Sequence, residues 1–548
     1  MPRPPRSISY RIPRWYLIAA AAWALQLASC GRQPAASQAD KSPPTPATGA
    51  SAGPTPVSSK RAVVTAEQAP SLAAQWCGSC HLLPEPGDLP RERWPLIMRW
   101  MGNYLGYPDT APDIKNLIYP TLVATEPSIT REQWQAIQSY YTSQAPAEIA
   151  PAFPRDQPPP LADLFRPEPW PGYVEPQTIS LVAIDPRRRQ LYIGSADDSL
   201  LRLFAADGRL LNRINCNQNQ AVKVRRTPDG FDLVLIGDLG KDVQQGTAHR
   251  IYGAGAEAGP LRASRIVTGF FRTSGAAWGD LDGDGIEDVV MAGFGDYAQG
   301  ALAWFAVKPG QDAVRHDLRV GSGALDAVAD DVDHDGDLDV LSIVAQGHQE
   351  MWWYENDGRG TFTPHRLWKE RSAMGYNGFQ WTDFDGDGVK DLVVAAGNNM
   401  EMVDPPLKPL HGVYVYRQTA PMEFAQAHFL RMDGVAKAVA ADYDGDGDQD
   451  VAAISAYPDW RARQPVAFVL FTNEGGGAFS AATIAPEYSG QPITMDAGDL
   501  DGDGDVDVVL GGASWAPNLA DPLLTQASRQ IARVPAVLVL RNQLHDRR

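Results

Sequence analysis

The chain has 548 residues, too many for one ordinary domain, so two or three regions are expected. Its formal charge of −18 argues against a nucleic-acid binder, which needs basic patches. Only four cysteines occur, at 30, 77, 80 and 216, so their placement matters more than their number.

The N-terminus carries Arg3, Arg6, Arg11 and Arg14, then an apolar run from Trp15 to Leu27. That pattern reads as a secretory signal, and the run is short for a membrane span. It ends in Leu27-Ala28-Ser29-Cys30, which resembles the bacterial lipobox. The resemblance implies a signal peptide over 1–29 and lipidation of Cys30; the rival is an uncleaved anchor helix. Either way the remainder lies outside the cytoplasm, attached to a membrane. Gly31, where an Asp would imply inner-membrane retention, implies the outer membrane, on its periplasmic or cell-surface face. Residues 30–61 are mostly Pro, Ala, Ser, Thr and Gly and cannot form a core, so they read as a flexible tether.

Residues 62–151 differ in character. A helical stretch leads into Trp76-Cys77-Gly78-Ser79-Cys80-His81. Cys-x-x-Cys-His is the pattern of covalent haem c attachment, with Cys77 and Cys80 bonding the vinyl groups and His81 ligating the iron. A zinc site would need further ligands, and the other cysteines are Cys30 and the distant Cys216. A thioredoxin-like pair would need a βαβ setting, and none surrounds the motif. Met98 and Met101 are candidates for the sixth ligand, placed on one helical face by their i, i+3 spacing. Pro84-Glu85-Pro86, Trp94, Met101-Gly102 and Leu105-Gly106 resemble a small all-α cytochrome c-like domain found fused to propellers in bacterial secreted proteins. On that resemblance Met101 is preferred. Thr130 and Gln133 predict a capping box opening a helix whose apolar face holds Trp134, Ile137, Tyr140 and Tyr141.

Residues 152–176 are Pro-rich and read as a linker. Over 177–544 an acidic nonapeptide recurs at Asp280–Asp288, Asp331–Asp339, Asp383–Asp391, Asp442–Asp450 and Asp499–Asp507, at intervals of 51, 52, 59 and 57 residues. Carboxylates stand at positions 1, 3, 5 and 9 of every copy and Gly at 6. Such a loop of hard oxygen ligands suits calcium. The expected ligands are Asp280, Asp282, Asp284 and Asp288; Asp331, Asp333, Asp335 and Asp339; Asp383, Asp385, Asp387 and Asp391; Asp442, Asp444, Asp446 and Asp450; and Asp499, Asp501, Asp503 and Asp507. His334, inside the second copy, reads as no ligand. An EF-hand would need Glu at position 12, where Met291, Ser342, Val394, Ala453 and Leu510 stand. Short apolar runs follow each loop and predict buried strands, so the loops join strands.

Two earlier repeats, Leu181–Ser195 and Val222–Asp238, are degenerate; in the second, Asp232 takes position 9 while Val224, Arg226 and Pro228 replace the other carboxylates. Neither is expected to bind calcium. Seven multi-stranded repeats predict a seven-bladed β-propeller. The pattern resembles the FG-GAP/VCBS family of integrin α-like propeller repeats, which implies about five calcium ions in a structural role. Too few residues follow Val537–Arg541 for a fourth strand, so a segment near Gly172–Val174 is expected to complete the last blade.

Three functions fit these features. The first is an electron-transfer lipoprotein with one haem c, its propeller docking a redox protein partner. The second is a quinohaemoprotein dehydrogenase with a catalytic propeller, which would require a basic, polar cofactor pocket that the sequence does not spell. The third is adhesion, the propeller binding glycan or protein.

Overall fold

The computed structural model describes residues 65–545 except 80, 112, 115–117, 119–122, 154–157, 162–163, 238–244, 254–260, 296–298, 400–401 and 516–517. The expected signal peptide, tether, Cys30 and Cys80 lie outside the described residues. Among the described residues no helix is long and apolar enough to cross a membrane.

Seven four-stranded antiparallel sheets make a seven-bladed β-propeller. The blades span 179–215, 221–270, 273–320, 324–370, 376–431, 435–482 and 492–542. The second strand of each blade is the apolar run read from sequence. Asp288–Gly293, Asp339–Val344, Asp391–Ala396 and Asp450–Ser455 are buried along their whole length, because a neighbouring blade covers each face. The core is accordingly divided into clusters that straddle adjacent blades; one joins Val393, Val413 and Val415 of blade 5 to Val451, Val469 and Phe471 of blade 6. Every first strand has a register shift after its first residue, which sharpens the local twist.

The last blade is completed by an N-terminal strand, but from an earlier segment than expected. Strand β1 (Phe165–Pro169) pairs antiparallel with Val537–Asn542, as Phe165 faces Asn542 and Pro169 faces Leu538. Gly172–Val174 is not that strand; the carbonyl of Tyr173 instead accepts the amide of Ala536 at 2.8 Å. The supposed linker thus supplies a strand, and its prolines are tolerated because it lies at a blade's outer edge. The degenerate second blade also corrects its alignment. Ala221–Thr227 and Gly230–Leu235 form a tight hairpin, with Arg225 opposite Asp232. Asp232 therefore matches Val290, two residues inside its strand, and not position 9 of a loop.

The described residues before β1 form a small helical unit. Helix α1 (Ala69–Trp76), α2 (Trp94–Gly102) and α3 (Arg131–Gln144) enclose Ala73, Trp94, Met98, Trp134, Ile137 and Tyr141. The capping box is present: the Gln133 amide donates to Thr130 Oγ1 at 3.2 Å and the Thr130 amide to Gln133 Oε1 at 2.9 Å. Trp94 and Tyr141 pack with ring centroids 4.2 Å apart, and each donates to a backbone carbonyl, of Pro86 and Pro84 respectively.

Because the strands run antiparallel, loops between first and second strands emerge on one face of the ring. Loops between second and third strands, and those between blades, emerge on the other. The five acidic loops occupy the first face. The helical unit is held on the second by Arg371, whose guanidinium meets Asp88 at 2.6 Å and Glu85 at 3.0 Å. Arg93 donates to the Val403 carbonyl at 3.2 Å, and the Ala152 amide donates to Asp433 at 2.8 Å.

Candidate functional site

One cleft lies between the helical unit and the propeller. Its helical wall holds Trp76, Cys77, His81, Leu89, Trp94, Met98, Trp100, Met101 and Leu105; its propeller wall holds Gly347, Ser372, Ala373, Met402 and Lys408. Its cavity measures about 160 Å³ and opens to solvent through a wide mouth. Cys77, His81, Met98 and Met101, read separately from sequence, thus share one wall. Met98 is buried in the helical core, whereas Met101 is half-buried.

His81 is half-buried, with Nδ1 2.8 Å from the carbonyl oxygen of Leu82. Nδ1–H donating to that oxygen leaves the lone pair on Nε2, the arrangement by which protein backbones orient metal-binding imidazoles. Burial lowers the His81 pKa, the Leu82 bond opposes that, and Lys369 adds to the lowering. Trp76 Nε1, also at the cleft, finds no hydrogen-bond partner among the described residues. A largely apolar cleft bearing a thiol, an oriented imidazole and two thioethers fits the donor set of a planar iron macrocycle.

The acidic loops gather carboxylate oxygens three at a time. One oxygen each from Asp280, Asp282 and Asp288 lie within 4.8 Å of one another, as do those of Asp331, Asp333 and Asp335; Asp383, Asp385 and Asp391; Asp442, Asp444 and Asp450; and Asp499, Asp501 and Asp503. Each group could hold a cation. Positions 4 and 6 have positive φ in every loop, which suits Gly. His334 fills position 4 once, at φ +65, and is exposed.

Position 9 has a second duty. Its Oδ1 accepts an amide of the third strand in all five loops: Val307 onto Asp288, Asn356 onto Asp339, Gln418 onto Asp391, Asn473 onto Asp450 and Asn542 onto Asp507, at 2.8–2.9 Å. This carboxylate therefore staples the loop to the sheet. Burial, opposed by these bonds, pushes Asp288, Asp339 and Asp507 up to about 6 and Asp450 up to about 7. Neighbouring loop carboxylates raise them further, and a bound cation would hold them ionised.

The two blades without acidic loops carry guanidinium groups in comparable places. Asp232, 1% exposed, meets Arg225 at 2.6 Å and Arg250 at 2.7 Å. Buried Asp185 meets Arg226 at 2.9 Å and Arg188 at 3.3 Å. The sequence shows Pro186 and three arginines in place of the first loop and lost carboxylates in the second; that Arg226 reaches Asp185 and that Arg225 and Arg250 reach Asp232 emerges only in the fold. Cys216 is buried among Leu181, Tyr192 and Leu201, and burial pushes its thiol up to about 11, which leaves it an inert core side chain.

Residues 280–342, 331–394 and 442–510 each match the FG-GAP-like repeat. This is a propeller built with FG-GAP repeats. Among solved structures, one described as "Structure of Dos1 propeller" has 10% identity over 67% of this chain and 78% of its own, with a TM-score of 0.40. No curated protein matches the chain.

Proposed function

We propose that this FG-GAP propeller protein is an extracytoplasmic, lipid-anchored electron carrier with one covalent haem c in the interunit cleft and a calcium-braced propeller as docking scaffold. The observation that carries the reading is the meeting of Cys77, His81 and Met101 on one apolar wall, with the His81 ring oriented by Leu82. Cys77 and Cys80 would tether the group, His81 Nε2 would be the proximal ligand and Met101 the sixth. When bound, haem supplies one-electron exchange. The chain's own residues do the rest: Trp94, Trp100 and Leu105 exclude water, and the Leu82 carbonyl holds the imidazole's proton on Nδ1.

Calcium in the acidic loops supports blade stability in this reading. Nothing in those loops offers a nucleophile or positioned base. The His81→Ala variant tests the ligand set, and the expected result is loss of the low-spin haem spectrum with the tethers intact. An unchanged low-spin spectrum overturns the assignment of His81. Reduction of the haem by a sugar or alcohol alone would instead favour the dehydrogenase reading.

A further inference from the structure

The five acidic loops are alike in sequence and unlike in what faces them. The place across the sheet from position 9 is held by Ala306, Glu355, Arg417, Thr472 and, in the last blade, Arg541. Arg541 is 8% exposed, and its Nη1 lies 3.0 Å from Asp507 Oδ2 and 3.3 Å from Asp501 Oδ2. Asp507 Oδ2 also accepts the Leu500 amide and its Oδ1 the Asn542 amide, so both oxygens of this position 9 are engaged. Two more groups close on the same loop: the Arg189 guanidinium donates to the Gly502 carbonyl at 3.3 Å, and the His545 ring meets Asp505. Asp499 and Asp503 have no ion-pair partner among the described residues, so some attraction for a cation remains. Elsewhere the loops are more open. Arg417 meets Asp385 and Asp387, and Lys308 stands 3.9 Å from Asp284, but both side chains are about half-exposed and turn to solvent at little cost. In the loops at Asp331 and Asp442, no Lys or Arg among the described residues pairs with an expected ligand. Asp331 Oδ1 is buried there without a hydrogen-bond partner.

We propose that Arg541 is the resident counter-cation of the last loop, so that calcium fills the other loops first and the seam between last and first blades stays closed without it. Arg541 belongs to that seam. Its Nη2 donates to the Ala206 carbonyl of the first blade at 3.3 Å, and its Nε lies 3.6 Å from Glu168 of the closing strand β1. The proposal rests on the calcium reading above. A unit charge about 6 Å from a divalent ion, in a water-like dielectric, weakens binding about tenfold, and the engaged Asp507 adds to that. The last site therefore adds least to the stability that calcium confers.

The test is a calorimetric calcium titration of the calcium-stripped full chain and of its Asp503→Asn, Asp446→Asn and Arg541→Gln variants. Of the five loops, four are expected to fill in one step and the last at a concentration about tenfold higher or more. Asp503→Asn leaves the first step unchanged, Asp446→Asn removes one ion from it, and Arg541→Gln brings the fifth ion into it. If Arg541→Gln folds only with calcium present, the ion has replaced the guanidinium, which also supports the proposal. Asp503→Asn leaves Arg541 in place and decides the matter should Arg541→Gln not fold. Five ions in one step for the wild type, or an ion lost from the first step in Asp503→Asn, overturns the proposal. A chain that takes up no calcium overturns the reading beneath it, and the proposal with it.

Discussion

The two faces of the ring ask different things of their surroundings. One face displays five loops whose clustered carboxylates repel one another and gain by taking a cation. The other face binds the helical unit through ion pairs the chain supplies itself, chiefly Arg371 with Asp88 and Glu85. The same contrast recurs between blades: five carry acidic loops, whereas Asp185 and Asp232 in the first two are met by arginines. An arginine is permanently present; a cation adjusts stability to its concentration in the surrounding solution. The comparison predicts that a cation acts chiefly on the later blades and least on the helical unit, while Arg225 and Arg250 reach Glu287 of the first acidic loop at 2.7 and 3.4 Å.

Calcium withdrawal should break that balance most. Extracellular modules bind with dissociation constants of about 10⁻⁴ to 10⁻³ M, so at roughly 1 mM each site contributes about 0.4–1.4 kcal/mol. Five sites sum to about 2–7 kcal/mol, which urea unfolding with and without chelator would measure; equal midpoints would contradict the bracing role. In Asp232→Ala, Arg225 and Arg250 lose their buried partner, at a cost of about 3 kcal/mol that added calcium does not restore. Recovery in calcium would erase the distinction between blades. Arg371→Gln leaves Asp88 buried without its partner, so its carboxyl, already raised by burial, rises further. The clasp should loosen by about 2 kcal/mol, seen as faster amide exchange over 85–94 with the blades unaffected.

The smallest effect is a pH slope. His411 is wholly buried, accepts the Gly434 amide on Nδ1 at 3.3 Å, and is held well below its ordinary pKa by burial, with Lys408 and Arg431 adding to it. The unfolded chain takes up this proton near 6.5 and the folded chain does not. Stability is therefore full above 6.5 and falls below it, by at most about 1.4 kcal/mol per pH unit. In calcium-loaded protein, the difference between wild type and His411→Gln isolates that slope; parallel curves would show that His411 is not its source. A further count sharpens the loop assignment, since Asp442→Ala with Asp450→Ala should lower calcium stoichiometry by one.

The repeats were legible because each acidic loop spells its turn with Gly at position 6 and is followed by an apolar run that a blade must bury. The helical unit was legible at Thr130 and Gln133, where a local cap decides the helix start. Strand β1 was not, since Phe165-Arg166-Pro167-Glu168-Pro169 looks like linker until Val537–Asn542 offers it an edge. The register of Asp232 was hidden because Pro228 and Asp229 close a tight turn where other blades have a long loop. The propeller wall of the cleft was hidden for a different reason. Gly347, Ser372 and the pair Met402 and Lys408 come from three loops of two adjacent blades, and only the docking of the helical unit on those blades brings them opposite Cys77 and His81.

In the proposed function the cleft between the two units carries a covalent haem while the acidic face is scaffold. The most direct test is the alkaline pyridine spectrum of denatured, purified full chain, compared with Cys77→Ser/Cys80→Ser. One haem c is expected to stay with the wild-type polypeptide and to be lost from the double variant. A wild-type chain that releases its haem on denaturation, or carries none, would contradict it.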